Sequence, residues 1–570
     1  MKKSRAESNS ANVTAGQGGE AARSILLWLL SINHNIPLYH WGFYFMKPNY
    51  LFIITDQHRA DHLGCYGNKT VKTPNIDTLA KTGRRFDNFY VANPICMSNR
   101  ASILTGRMPS LHGVRHNGIP LSRDDTTFVE VLKAAGYKTA LIGKSHIQAM
   151  TGLPATISYN VGEGMEPPDE SLREASHRSR SGEEYDQELA DRWRSNIGHR
   201  VKTPFYGFDH VLIANDHADQ VTGDYEVWLK NQGVDPDTLR GPENALPDDR
   251  YCAPQAWRTR VPEELYPTHY VAKKSAEYLK SYAQGDRKKP FFLTMSFPDP
   301  HHPFTPPGKY WDMYDPKDIT LPESFGKGDL PPLKAMREAR KNGTDNRKGQ
   351  DPFIVSEREA REIIALTYGS ISLIDDAIGW VIETLKDHGL DENTVICFTS
   401  DHGDHMGDHG LMLKLLLHYR GLIRVPFIWS DPMDRVRGDS DQRLFSSIDI
   451  APSILKRSGI QPYNGVQGID FLRENATERH GLIVEEDSQR KMVAFQKPQR
   501  VRTYVTHEWR LSLRLGEDWS ELYDLKNDPD ELKNLWSDPD YKDVKTRLID
   551  EMLRETVSLQ DRSPLPKYRA

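Results

Sequence analysis

The chain has 570 residues, 74 Lys and Arg against 80 Asp and Glu, a net charge of −6 and 38% hydrophobic residues. No run approaches the roughly 18 consecutive apolar residues that a membrane-spanning helix needs, and no long basic run offers a surface for nucleic-acid phosphates. This composition excludes an integral membrane protein and a dedicated nucleic-acid-binding protein, and the length allows one large α/β core with a smaller domain.

The first 45 residues precede the regular part of the chain and are predicted to be a poorly ordered leader. They include an apolar patch, Ser24–Ile32, but no A-x-A cleavage site follows it, so export to the periplasm is the less favoured alternative. Met46, directly before the first clear strand, is a second candidate for the translation start. The cysteines are too sparse for a disulfide framework and fit no zinc-site spacing, so we expect a reducing, cytoplasmic location. They are Cys65, Cys96, Cys252 and Cys397.

The predicted elements alternate between strands and helices. Continuous apolar runs predict strands that are buried on both faces, at Asn49–Thr55, Lys138–Ile142, Pro290–Phe297 and Thr394–Thr399. A capping box of Thr127 and Glu130 begins one helix, and apolar residues at helical spacing from Ile364 to Leu385 predict a long helix that ends at Gly389. This order predicts an α/β fold, with a large, mostly parallel sheet flanked by helices.

The remaining segments set the predicted domain boundaries. Residues 46–478 form the predicted catalytic α/β domain. Charged, aperiodic stretches at about 151–290 and 325–352 are predicted insertions, the first of them over the mouth of the site. Residues 479–570 are predicted to form a small antiparallel sheet with one helix, which could mediate a homo-oligomer.

Polar side chains follow four of the predicted strands, where ligands gather in parallel sheets. These are Asp56, Lys144 with His146, His301 with His302, and Asp401 with His402. The clustered oxygens of Asp56, Gln57 and Asp401 suit a hard cation such as Ca²⁺, and the imidazole of His402 leaves Mn²⁺ open.

Cys96 precedes a segment, Asn99–Thr105, that is predicted to be helical and to end at Gly106. The thiol therefore lies near a helix N-terminus, where the helix dipole and free N–H groups favour anions. Taken alone, such a cysteine is most often a small buried apolar residue.

The order Cys96, Arg100 and then Leu104–Arg107 resembles the signature of the sulfatase family. Ser98 departs from the family's Cys-x-Pro-x-Arg pattern. Further segments extend the resemblance over most of the chain from Met46. They are TDQHRADHLGCYG, TPNIDTLA, CMSNRASILTGR, GKSH, PHHPF, ISLIDD, FTSDHGDHMGDHG, LIRVP and ELYDLKNDPDE. The resemblance implies an alkaline phosphatase-like fold.

The resemblance also implies a chemistry for residue 96. In the family, this cysteine is oxidised to formylglycine by a formylglycine-generating enzyme. The hydrate is the nucleophile, and the reaction passes through a covalent sulfo-enzyme intermediate. One divalent metal ion is implied, with ligands at Asp56, Asp401 and His402, at Gln57 where many members have a second Asp, and at the hydrate oxygen of residue 96 in place of Cys96.

Other roles follow from the same resemblance. It implies that Lys144 holds the nucleophile and that His146 deprotonates it. His301 rather than His302 contacts the leaving oxygen, and Lys414 bridges the ester and leaving-group oxygens. The implied catalytic residues are Cys96, Arg100, Lys144, His146, His301 and Lys414, and the implied substrate contacts are Asn117, Lys144, His301 and Lys414.

The function expected from this resemblance is hydrolysis of small organic sulfate monoesters, chiefly aryl sulfates. A phosphonate monoester or phosphodiester hydrolase with the same nucleophile is the alternative, and the Gly143–His146 segment favours sulfate over it. A binding protein that kept the fold and lost catalysis is a remote alternative, because the set of site residues is complete.

Overall fold

The computed structural model describes residues 47–157, 159–176, 180–434, 437–473, 478–492, 495 and 497–569. The predicted leader and the choice between Met1 and Met46 lie outside these residues. The strands are β1 (Asn49–Thr55), β2 (Arg84–Tyr90), β3 (Lys138–Gly143), β4 (His210–Asn215), β5 (Thr222–Gly223), β6 (Phe291–Ser296), β7 (Phe353–Ile354), β8 (Thr394–Ser400), β9 (Leu411–Met412), β10 (Phe427–Ser430), β11 (Asp439–Ser446), β12 (Leu482–Asp487), β13 (Arg500–Val505), β14 (Trp509–Arg514) and β15 (Glu521–Asp524).

Helices connect and cover these strands. They are α1 (Pro74–Thr82), α2 (Cys96–Thr105), α3 (Pro109–His112), α4 (Phe128–Ala134), α5 (Ala190–Ser195), α6 (Asp224–Asn231), α7 (Pro267–Gln284), α8 (Pro331–Lys341), α9 (Glu357–Asp387), α10 (Arg420–Ile423), α11 (Ile450–Arg457) and α12 (Lys542–Ser558). None of the helices in the described ranges is both long enough and apolar enough to cross a membrane.

The main sheet has nine strands in the order β11-β2-β10-β8-β1-β6-β3-β4-β5. Its central strands β8, β1, β6, β3 and β4 are parallel to one another. Strand β10 is antiparallel to both β8 and β2. The predicted large, mostly parallel sheet is confirmed.

Both faces of this sheet are covered. From β1, Leu51 and Ile53 pack in one apolar core together with Ile371 of α9, whereas Phe52 belongs to a second core with Phe128 of α4. Successive side chains of a strand point to opposite faces, so a strand buried on both sides must be apolar throughout. This is why the sequence of β1 shows no alternation.

Local signals set the helix ends. The predicted capping box of α4 is present, because Thr127 accepts a hydrogen bond from the backbone of Glu130 and the Glu130 side chain accepts one from the backbone of Thr127. Helix α9 begins with a second capping box, Ser356 and Glu359. Helix α2 ends at Gly106, whose φ of 62° is in the left-handed region that favours glycine.

The segment of about 151–290 has two parts in the structure. All described residues of 151–176 are exposed. From His210 onward the segment contributes β4 and β5 to the edge of the main sheet, and α7 packs in the same core as Leu51. The second polar stretch, 325–352, includes helix α8, which buries Leu333 and Met336.

The C-terminal region is a four-stranded antiparallel sheet in the order β12-β13-β14-β15. Helix α12 packs Leu548 and Met552 against Leu511 and Leu522 of this sheet. The predicted small antiparallel sheet with one helix is confirmed.

Candidate active site

The site lies where the central strands end. Strands β1 and β8 are parallel neighbours with Thr55 opposite Ser400, so the residues that follow them, Asp56 and Asp401, come together. Cys96 is the first residue of α2. Possible ligand atoms of Asp56, Cys96, Asp401 and His402 all lie within 4.8 Å of one another, and all four residues are buried.

Cations and histidines surround the thiol of Cys96. The Sγ atom lies 3.0 Å from Lys414 Nζ, 3.1 Å from His402 Nε2 and 3.7 Å from Asp56 Oδ1. Burial raises the pKa of the Cys96 thiol, but Lys414, His402 and Lys144 outweigh burial, so the pKa lies well below its usual value. Residue 96 therefore sits where negative charge is stabilised.

Two more cations neutralise the carboxylates. The Lys144 ammonium forms an ion pair with Asp56, and Arg100 Nε donates to Asp401 Oδ2 at 2.8 Å. Burial and Cys96 raise the pKa of Asp56, but Lys144, Lys414 and His402 hold it well below its usual range. Burial and the neighbouring Asp56 raise the pKa of Asp401.

The two histidines of PHHPF face different groups. His301 Nε2 lies 3.0 Å from Lys414 Nζ. His302 instead contacts Gln57 Nε2 at 3.2 Å through Nδ1, and Gln350 Oε1 at 3.1 Å through Nε2. His301 is thus the member of the pair that meets Lys414.

The loop after β3 brings His146 to residue 96. His146 has a left-handed backbone, with φ of 50°. Burial lowers its pKa to about 4, against a hydrogen bond with Cys96 that raises it. Asn117 Oδ1 accepts a hydrogen bond from the backbone N–H of Met97, the residue after Cys96, at 3.2 Å.

The donor set fits a divalent cation. Carboxylates, one imidazole and residue 96 converge, as the ligand chemistry of Ca²⁺ or Mn²⁺ requires. Gln57 adds a backbone N–H that donates to Asp401 Oδ1 at 3.1 Å. Its Oε1 is buried and has no hydrogen-bond partner within the described part of the chain, so an acceptor atom remains available there. The liganding of a metal by Gln57 stays a prediction.

Sequence reasoning missed two residues that contact this site. His217 follows β4 and contacts Lys144. Glu188 accepts hydrogen bonds from the backbone of the loop that carries His146. The strand-end rule would have found His217 if β4 had been recognised, but no periodicity or motif marks Glu188.

Comparison with known proteins gives the family. The family model described as Sulfatase matches residues 48–217 and 207–460. An arylsulfatase of Clostridium perfringens is 32% identical over 448 residues, which cover 76% of this chain and 79% of the relative. The chain belongs to the sulfatase family. Membership supports sulfuric ester hydrolase activity.

Further relatives agree with this placement. The C-terminal model of N-sulphoglucosamine sulphohydrolase matches residues 407–558 of this sulfatase. The multifunctional alkaline phosphatase superfamily protein PehA of Trinickia caryophylli is 27% identical over 442 residues, 75% of this chain and 76% of that one. The phosphonate monoester hydrolase of Agrobacterium radiobacter superposes with a TM-score of 0.68 at 23% identity, covering 91% of this chain and 98% of that one. This likeness confirms the alkaline phosphatase-like fold.

Proposed function

We propose that this sulfatase hydrolyses small organic sulfate monoesters, chiefly aryl sulfates, with residue 96 as the nucleophile after its conversion to formylglycine by a formylglycine-generating enzyme. The observation that carries the proposal is the position of Cys96 at the start of α2, with Lys414 Nζ and His402 Nε2 within 3.1 Å of its sulfur. The similarity to an arylsulfatase supports the aryl preference.

A divalent cation, Ca²⁺ in first place and Mn²⁺ as the alternative, would be held by Asp56, Asp401 and His402, with Gln57 and residue 96 beside them. It would supply positive charge at the nucleophile and at the sulfate oxygens. The formylglycine hydrate would supply two hydroxyl groups on one carbon, one to attack sulfur and one to release sulfate, whereas serine offers only one.

The protein's own cations prepare the site for an anion. A sulfate ester repels nucleophiles through its charged oxygens, and Arg100, Lys144 and Lys414 offset that charge. One unit charge pair at 4 Å is worth about 4 kcal/mol at an effective dielectric of 20. Fixed charges of this kind supply a large share of catalysis. The Asn117 amide, beside the N-terminus of α2, would contact one sulfate oxygen.

Two side chains are placed to move protons. His146 hydrogen bonds to residue 96 and has no hydrogen-bond partner for Nδ1 among the described residues. It would take a proton from the nucleophile. His301 and Lys414, with Nε2 and Nζ 3.0 Å apart, would protonate the leaving oxygen, a contribution typically worth about 10² to 10⁴ in rate.

The test is a kinetic panel of an aryl sulfate, an alkyl sulfate, a phosphonate monoester and a phosphodiester, each with Ca²⁺ or Mn²⁺ supplied. We expect the aryl sulfate to react fastest and chelation to remove the activity. Cys96→Ala should be inactive, whereas Cys252→Ala, a change at an exposed cysteine, should match the wild type.

Mass spectrometry of the peptide with residue 96 should show the aldehyde or its hydrate. An unmodified thiol throughout a fully active preparation would rule out formylglycine. A panel in which only the phosphonate monoester or phosphodiester reacts would replace the sulfatase assignment by the alternative hydrolase. A cytoplasmic location and a homo-oligomer, inferred from the sequence, remain part of the proposal.

A further inference from the structure

His217 is a buried histidine that contacts two residues of the candidate site. It follows β4, and its side chain is 10% exposed. Its Nε2 lies 2.7 Å from Lys144 Nζ. Its ring stacks on the ring of His301, with centroids 3.5 Å apart and planes 15° apart. One side chain therefore joins Lys144 to His301.

The hydrogen bonds fix the orientation of this ring. An ammonium group has only donors, so Nε2 of His217 must accept from Lys144, and the ring proton then lies on Nδ1. That nitrogen is 3.1 Å from Asp216 Oδ1. Asp216 thus holds His217 in the tautomer and orientation that Lys144 requires.

The backbone around His217 is held in an uncommon conformation. Asp216 and Ala218 both have left-handed φ angles, 77° and 50°. For residues other than glycine, such angles cost about 1–3 kcal/mol and persist where surrounding contacts impose them. Ala218 is fully buried, so packing imposes this conformation and presents His217 to the site.

Lys144 has two partners in this arrangement, Asp56 and His217. The Lys144 ammonium forms an ion pair with Asp56, which is one of the predicted metal ligands. It also forms a hydrogen bond with His217, which follows β4. The same histidine covers one face of the His301 ring, whose Nε2 meets Lys414. Removing His217 would leave the Lys144 ammonium, among the described residues, with Asp56 alone. It would also uncover one face of the His301 ring, which would keep its contact with the His302 carbonyl.

We propose that His217, oriented by Asp216, is a positioning residue for hydrolysis at this site: its Nε2 fixes Lys144 and its ring fixes the plane of His301. The inference rests on the proposed function for the reaction in which these two residues act. It adds a fifth strand end, that of β4, to the four that supply the predicted lysine, histidines and carboxylates.

Two variants separate the two contacts. His217→Phe keeps a ring against His301 and removes the acceptor for Lys144, so kcat should fall by about 10²-fold with equal losses for esters with good and poor leaving groups. His217→Gln keeps an acceptor and removes the stacked ring, so the loss should be larger for the poor leaving group, because His301 acts on the leaving oxygen.

Controls exclude a general loss of structure. His210→Phe, at the exposed start of the same strand β4, should keep wild-type kcat. Asp216→Asn should also lower kcat, but by a smaller factor than His217→Phe does. Wild-type kcat in His217→Phe and Asp216→Asn, or the same leaving-group dependence in His217→Phe and His217→Gln, would overturn the proposal.

A second measurement does not depend on activity. Crystal structures of the two His217 variants should show Lys144 displaced in His217→Phe and His301 rotated in His217→Gln. Unchanged positions of both side chains would overturn the positioning role. Absence of turnover of every sulfate ester by the wild type would instead overturn the proposed function, and the crystal structures would still decide the role of His217.

Discussion

At the scale of single residues, Glu188 holds the loop that carries Lys144 and His146. Its carboxylate is buried and accepts hydrogen bonds from five groups on the two segments around it. They are His146 N at 2.8 Å, Ile147 N at 3.2 Å, Gln148 N at 3.1 Å, Ser145 Oγ at 3.0 Å and Asn215 Nδ2 at 2.6 Å. A carboxylate offers acceptors only, which matches this ring of donors. One of these bonds is made by the backbone N–H of His146 itself, the residue with the left-handed φ.

Glu188→Gln should therefore weaken both folding and catalysis. The glutamine amide replaces one acceptor oxygen by an NH₂ donor, so backbone N–H groups that donate to Glu188 lose their acceptor. A buried donor without an acceptor lowers the free energy of unfolding by about 1–3 kcal/mol. We expect urea unfolding to show a loss of this size and kcat to fall as His146 moves from residue 96. Glu183→Gln, at an exposed glutamate of the same segment, is the matched control. Equal stability and kcat in both variants would show that Glu188 has no such role.

At the scale of elements, the C-terminal sheet holds the segment 413–416, which we call the lysine loop. Leu413, Leu415 and Leu416 have left-handed φ angles of 70°, 97° and 61°. Glu486 of β12 accepts a hydrogen bond from Leu416 N at 2.9 Å, and Arg514 of β14 donates to Leu416 O at 2.5 Å. Two strands of the small domain thus fix both backbone groups of one residue.

This contact predicts that the C-terminal sheet takes part in placing Lys414. Glu486→Ala would leave Leu416 N and the His418 ring, which lies 2.9 Å from Glu486, without their acceptor. We expect kcat to fall on the order of tenfold, because small misplacements of a catalytic group are costly. Kinetics on the best substrate of the panel are the measurement. Glu508→Ala, at an exposed site between β13 and β14, should leave kcat unchanged, and an equal kcat for Glu486→Ala would contradict the prediction.

The elements also show how far the sequence predicts this site. Strands β1 and β8 are continuous apolar runs, so the sequence predicts where each strand ends. It therefore also predicts that Asp56 and Asp401 lie at those ends. Helix α2 begins at Cys96, three residues before the predicted Asn99, because its N-cap, Ile95, has no side-chain hydrogen bond to mark the start. Strand β4 lies within a charged, aperiodic segment, so neither the strand nor His217 after it could be predicted. Three of the five donors to Glu188 are backbone N–H groups, which leave no pattern in the sequence.

At the scale of the whole molecule, buried ionisable groups make stability depend on pH. Burial lowers the pKa of His62 to about 3 and that of His409 to about 4, whereas burial raises the pKa of Asp375 to about 6. Between pH 6.5 and 4, the unfolded chain binds protons at both histidines that the folded protein does not bind, and this lowers the free energy of unfolding as the pH falls. Asp375 acts in the opposite direction between about pH 6 and 3.8. For these three groups, the net effect of acid is destabilising.

His62 offers the cleanest test of this linkage, because its ring packs edge-on against Tyr368 at a centroid distance of 5.0 Å and a phenylalanine can keep that contact. In the wild type, the His62 contribution is full above pH 6.5 and is lost as the pH falls toward 3, since its folded-state pKa is depressed. His62→Phe removes this titration, so the fall in unfolding free energy between pH 6 and 4 should be shallower by about 1.4 kcal/mol per pH unit. Urea unfolding at pH 7, 6, 5 and 4 measures the slope, with His507→Gln as the exposed control. Parallel slopes for the wild type and His62→Phe would mean that His62 has the same pKa in the folded and unfolded states, and this would contradict the lowering of its pKa by burial.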